Sequence, residues 1–277
     1  TDATAQQHVF YGHCVVKLAD SNSNNDKDNN QIILLSFGGD KYTKRHTFVM
    51  KYVSVWSDGN NNDDENKNEN ETNKSKKLNE FNQFNELNKS NNYNQWLPFT
   101  DNHNHPIIIG RERDHDNYRG ARALIGGINN HLLFITYYIN NIIVFDLNKF
   151  KFIKYDTLPA DNFICYHCFV SKSENGQVQE MMKQNYQMLL FCWGTGLSIE
   201  YNEDNNTFQF QKLPVCHDIA LFNYYAYVCI NDVVLFFGGY GRGVVSKLMH
   251  SIQLEKTIDD ISKNFTQSIE RLCCNIE

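Results

Sequence analysis

The chain has 277 residues and a net charge of -6. It is long enough to bury one sizeable core or two small ones, and it lacks the clustered Lys and Arg that a broad nucleic-acid surface needs. No apolar run approaches the roughly 20 residues of a membrane span, and Thr1 to Gln7 is polar rather than signal-like, so an intracellular, cytoplasmic protein without a membrane span is expected. The aromatic fraction of 13%, with 19 Phe and 15 Tyr, suits pleated, half-buried strands, and an all-β fold is the expectation.

Along the chain, short strand-like runs fall into units of four. Unit one (8–100) carries Val9 to Lys17, Ile32 to Phe37, Phe48 to Trp56 and Gln95 to Phe99. Two segments inside it, 21–30 and 59–94, consist mostly of Asn, Asp, Glu and Lys. They cannot bury enough apolar surface to offset their ordering entropy and are predicted to be disordered insertions. Unit two (107–160) carries Ala121 to Ile125, Leu132 to Tyr138, Ile142 to Leu147 and Phe150 to Tyr155. Unit three (162–214) carries Phe163 to Val170, Met188 to Trp193, Leu197 to Tyr201 and Thr207 to Lys212. Unit four (217–256) shows Ala220 to Ile230, Val233 to Phe237 and Lys247 to Leu254, with no evident fourth strand. After it, Ile258, Ile261, Phe265, Ile269 and Leu272 recur at helical spacing behind a Thr257 cap, which predicts an amphipathic helix over 257–277. Its apolar face needs a partner, either the body of the protein or a second chain.

One apolar phrase recurs in all four units: 32–39, 131–138, 187–194 and 233–239. The prolines give an independent check. Pro98, Pro106, Pro159 and Pro214 all fall at or just after the end of a unit, where an outer strand leaves the sheet and a missing N–H does no harm. The steps from Pro106 to Pro159 and from Pro159 to Pro214 are about 53 and 55 residues.

These residues resemble the kelch motif, in which an apolar strand ends in Gly-Gly, a third strand ends in an aromatic plus Asp, and a fourth carries an aromatic before Leu-Pro. Gly38-Gly39 and Gly238-Gly239 match the doublet, with Gly194-Thr195-Gly196 a degenerate version. Trp56 and Phe145 match the third strand; Trp96 before Leu97-Pro98, and the Leu-Pro pairs ending at Pro159 and Pro214, match the fourth. Unit two departs, because its Gly126-Gly127 closes the first strand rather than the second. The resemblance implies a β-propeller of kelch-like, four-stranded blades. Since kelch propellers usually close with more than four blades, it also implies a fragment of a longer protein.

Candidate chemistry is sparse. Cys165 and Cys168 have CxxC spacing, but residues three apart on a strand point to opposite faces, so they are not expected to share a metal. His103, His105 and His115, with Asp101, Asp114 and Asp116, form a polar connection that reads as solvated. Arg111, Arg113, Arg119 and Arg122 alternate with acids, which favours a solvated loop over an anion site. The glycines around Arg242 read as turn glycines, with Arg242 at the tip as a candidate partner contact. Most of the eight cysteines lie in apolar runs and are expected to be reduced and buried. No catalytic, cofactor or metal residues are expected. The sequence therefore points to a non-enzymatic interaction scaffold for a protein partner of unidentified kind. The alternative is an oxidase-like or hydrolytic propeller with a site in its central channel.

Overall fold

The computed structural model describes residues 13–18, 31–39, 45–53, 93–110, 117–172, 185–230, 233–241, 243–247 and 249–253. Trp56, Arg242, segment 21–30, most of 59–94 and the predicted helix over 257–277 lie outside these residues.

The described chain is all-β, with four antiparallel sheets in a four-bladed propeller arrangement. Blade one holds β1 (His13–Lys17), β2 (Gln31–Gly38), β3 (His46–Val53) and β4 (Leu97–Pro98), paired in that order. Blade two holds β5 (Asn117–Gly126), β6 (Leu132–Tyr138), β7 (Asn141–Asp146) and β8 (Lys151–Thr157). Blade three holds β9 (Cys168–Ser171), β10 (Asn185–Cys192), β11 (Thr195–Asn202) and β12 (Thr207–Leu213). A helix of one turn, α1 (His217–Ala220), leads into blade four. That blade pairs β13 (Ala226–Ile230) with β14 (Val233–Phe237), and β14 with β17 (Met249–Gln253). A small hairpin of β15 (Tyr240–Gly241) and β16 (Val244–Val245) stands between the last two.

Blades pack face to face because strand side chains alternate. On β6, Leu133, Ile135 and Tyr137 enter the core between blades one and two, while Leu132 and Phe134 enter the core between blades two and three. On β10, Met188, Leu190 and Cys192 face blade two, and Leu189 and Phe191 face blade four. A central strand buried on both faces reads as the continuous apolar run seen in the sequence. Each fully buried Leu or Phe of these runs contributes about 1.5–3 kcal/mol of burial.

The Leu-Pro positions have a related part. Leu158 is buried between blades two and three and Leu213 between blades three and four, so each outer strand pins its neighbour just before Pro159 or Pro214. Phe145 is buried and meets Phe152 edge to face at 5.0 Å. Trp96 is 39% exposed, which leaves it outside the core.

The displaced doublet of blade two has its own explanation. A Cβ on Gly126 would fall on the ring of Tyr186, which crosses from blade three, stacks on Phe134 at 5.1 Å and donates its hydroxyl to the Ile125 carbonyl at 2.9 Å. Gly126 is thus a seat for a neighbouring blade's ring.

No buried cluster joins blade four to blade one among the described residues. Val228, Ile230, Phe237 and Met249 of blade four are exposed, as are Val15 and Tyr52 of blade one. At the end of the second Asn-rich segment, Asn94 exchanges side-chain hydrogen bonds with the Val53 backbone, and Lys51 lies over the Tyr93 ring at 4.7 Å.

Candidate functional site in the axial cavity

The first strands of the blades approach one another, β5 touching both β1 and β9, and β9 touching β13. A cavity of about 390 Å³ opens where they meet. Strand β1 supplies His13, Cys14 and Val15, β5 supplies Arg122 and Ala123, and the start of blade four supplies Tyr225, Ala226 and Tyr227. The volume lies at the small end of the range for ligand pockets.

Arg122 reaches this cavity because β5 is irregular. Its pairing with β6 slips between Asn117 and Arg122, at Gly120, where φ is +69° and a Cβ would meet the Tyr166 backbone nitrogen at 2.6 Å. Bulges of this kind re-aim side chains. The Gly120 carbonyl accepts the Tyr166 N–H at 2.8 Å, which ties blade two to the approach of blade three.

The inner edge of blade three is then capped by its neighbours. Arg122 Nε donates to the His167 carbonyl at 3.0 Å and Arg122 Nη1 to the Ala121 carbonyl at 3.3 Å. Tyr227 donates its hydroxyl to the Phe169 carbonyl at 3.2 Å, and Tyr225 to the Phe191 carbonyl at 2.6 Å. Edge carbonyls left bare would invite pairing with another strand; at the inner edge of blade three, side chains satisfy those of His167 and Phe169. The guanidinium lies about 6 Å from the ring centres of both Tyr166 and Tyr227, within cation–π range. Among the described residues no carboxylate pairs with it.

His167 is fully buried beside Arg122. Thr136 Oγ1 stands 3.3 Å from the Arg122 carbonyl and 2.6 Å from His167 Nε2, so the hydroxyl and the imidazole share a hydrogen bond. Nδ1 has no hydrogen-bond partner among the described residues. Burial first, and the Arg122 charge second, lower the His167 pKa to about 3. The same burial pushes the Cys14 thiol up to about 11, Cys192 to about 12 and the Tyr227 phenol to about 12. At neutral pH Arg122 is therefore a permanent cation beside an imidazole, thiols and a phenol that burial keeps uncharged.

Other sequence candidates fall as follows. Cys165 Sγ accepts from Asn223 Nδ2 at 3.7 Å, whereas Cys168 packs between blades three and four, so the CxxC sulfurs have separate surroundings. Cys14, Cys165, Cys168, Cys192 and Cys229 form no disulfide. Cys216, which lies outside the apolar runs of the sequence, is disulfide-bonded. Gly38 ends β2 and Gly39 follows it, while Gly238 and Gly239 follow β14, all with positive φ. Gly194 lies in the β10–β11 turn and Gly196 near the start of β11, where a Cβ would meet the Leu213 carbonyl at 2.8 Å. Asp101, His103 and His105 come together on one turn, while Asp114, His115 and Asp116 lie outside the described residues. The sequence missed the cavity because its lining comes from three blades; the one local signal was an arginine inside a predicted strand, Ala121 to Ile125.

Comparison with protein-family models and with curated proteins finds no match for this chain. The propeller arrangement therefore stands on the structure itself, and the kelch likeness on the repeat residues. No helix among the described residues is long and apolar enough to cross a membrane.

Proposed function

We propose that this chain is a non-enzymatic protein-interaction scaffold built from kelch-like blades, and that the mouth of the axial cavity is its contact. The observation that carries this reading is Arg122, a half-buried cation facing a cavity with no carboxylate beside it among the described residues. Such a charge favours an acidic group brought by a partner. The exposed apolar rim supports it: Val15 is 44% exposed, and Ala226 lies next to it on the cavity wall. The electrostatics favour binding over chemistry, since the buried thiols are held protonated whereas a nucleophile needs the thiolate, and an imidazole with a pKa of about 3 is too weakly basic to take a proton near neutral pH.

The test uses Ala226→Glu, which adds a carboxylate to the cavity wall that Arg122 shares. Affinity capture with the full chain is expected to retain a defined partner that the Ala226→Glu protein loses by at least about tenfold, a difference of about 1.4 kcal/mol, with unchanged circular dichroism. Equal retention by both proteins would overturn the cavity as the contact.

A further inference from the structure

We propose that Asp101, His103 and His105 form a binding site for a divalent transition-metal ion of the zinc type, on the turn that leaves the outer strand of blade one. One donor atom from each residue lies within 4.8 Å of the others. Donors bound to one zinc at 2.0–2.2 Å stand about 3.3 Å apart in tetrahedral geometry. Rotation of the exposed imidazoles is enough to close that difference, because the His105 side chain is 76% exposed and unconstrained by packing.

The backbone beneath the donors is already ordered. Asp101 N–H donates to the His105 carbonyl at 2.9 Å, and Asn104 N–H donates to the Asp101 carbonyl at 3.1 Å. Asp101 Oδ1 accepts the His103 N–H at 2.8 Å and the His105 N–H at 2.9 Å. Below the turn, Thr100 bridges Pro106, and the Ile107 N–H donates to the carbonyl of Phe99, a ring buried between blades one and two. A polar loop without such a base would splay its side chains into water. Here the backbone of the five-residue turn and the Asp101 carboxylate are already held and anchored to the core, so the ordering entropy left to be lost on binding is mainly that of the two imidazole side chains.

The donor chemistry selects the ion. The second carboxylate oxygen, Oδ2, faces His105 Nδ1 at 3.2 Å, and the two imidazole rings lie 6.0 Å apart with an interplanar angle of 25°. Two imidazoles and one carboxylate suit zinc, nickel or copper and disfavour calcium and magnesium, which take all-oxygen sets. With three protein donors, the remaining coordination positions face solvent, open to water or to a side chain of another molecule.

Titration calorimetry of zinc chloride into the full chain, followed by His103→Ala, His105→Ala and Asp101→Asn, tests the site. Asparagine keeps an oxygen for the two backbone N–H groups, so it removes the charge while sparing the turn. One zinc site is expected, weakened about tenfold or more by each change, with no heat from magnesium. Cobalt substitution is expected to show an N/O-ligand spectrum without sulfur-to-metal charge transfer. Absence of zinc binding, unchanged zinc affinity and stoichiometry in the His103→Ala/His105→Ala double variant, or a thiolate-dominated cobalt spectrum would each overturn the assignment.

Discussion

His167 shows most clearly how burial sets chemistry at a single residue in this protein. Its imidazole is held neutral with a pKa of about 3, against an ordinary value of 6.5. Between those values the unfolded chain binds more protons than the folded one, so stability rises with pH across that window and is lost as pH falls through it. We expect the melting temperature to drop progressively below about pH 6.5. In His167→Gln, part of that acid sensitivity should be missing, even if the variant is less stable at pH 7. Melting curves at pH 4, 5, 6 and 7 check this; identical slopes for the two proteins would contradict it. The sequence placed His167 inside a CxxC spacing. Spacing says nothing about which carbonyls and hydroxyls a fold will bring to a ring, so the Thr136 contact and the Arg122 neighbour were not legible. The alternation argument against a shared metal at Cys165 and Cys168 was legible, because it rests on local strand geometry alone.

Among the elements, β6 and β10 matched their sequence reading closely, and β5 did not. Runs such as Leu132 to Tyr138 are buried on both faces, and their strand character follows from local composition. Strand β5 begins at Asn117, ahead of the predicted Ala121, because its first residues are polar and its pairing is broken by the slip at Gly120. Gly126 at its end makes a testable case. Its φ is not in the left-handed region, so any cost of Gly126→Ala is steric and comes from the Tyr186 ring. We expect a loss of about 1–3 kcal/mol in urea unfolding. Shortening the obstacle with Tyr186→Leu should recover part of that loss, giving a favourable coupling in a double-mutant cycle. An additive pair would show that the ring is not the obstacle.

At the scale of the whole molecule, the propeller arrangement joins its blades unequally. Three faces between consecutive blades carry buried clusters, and the faces that blades four and one leave over carry exposed apolar side chains. Adjacent residues on β14 make the comparison direct, since Phe236 is buried between blades three and four while Phe237 is 40% exposed. Phe236→Ala is expected to cost about 3–5 kcal/mol, and Phe237→Lys to stay within about 0.5 kcal/mol, both read from urea unfolding midpoints. A large cost at Phe237 would mean that a partner surface covers it in solution. The all-β class, the series of four units and their central strands were determined by the sequence alone, because a two-residue alternation and a turn glycine act within a few residues of chain. The axial cavity, its arginine and the role of Gly126 were decided only by the tertiary structure. The cavity is lined by residues from both ends of the chain, and no periodicity within a unit records which side chains a ring of blades will turn toward its axis.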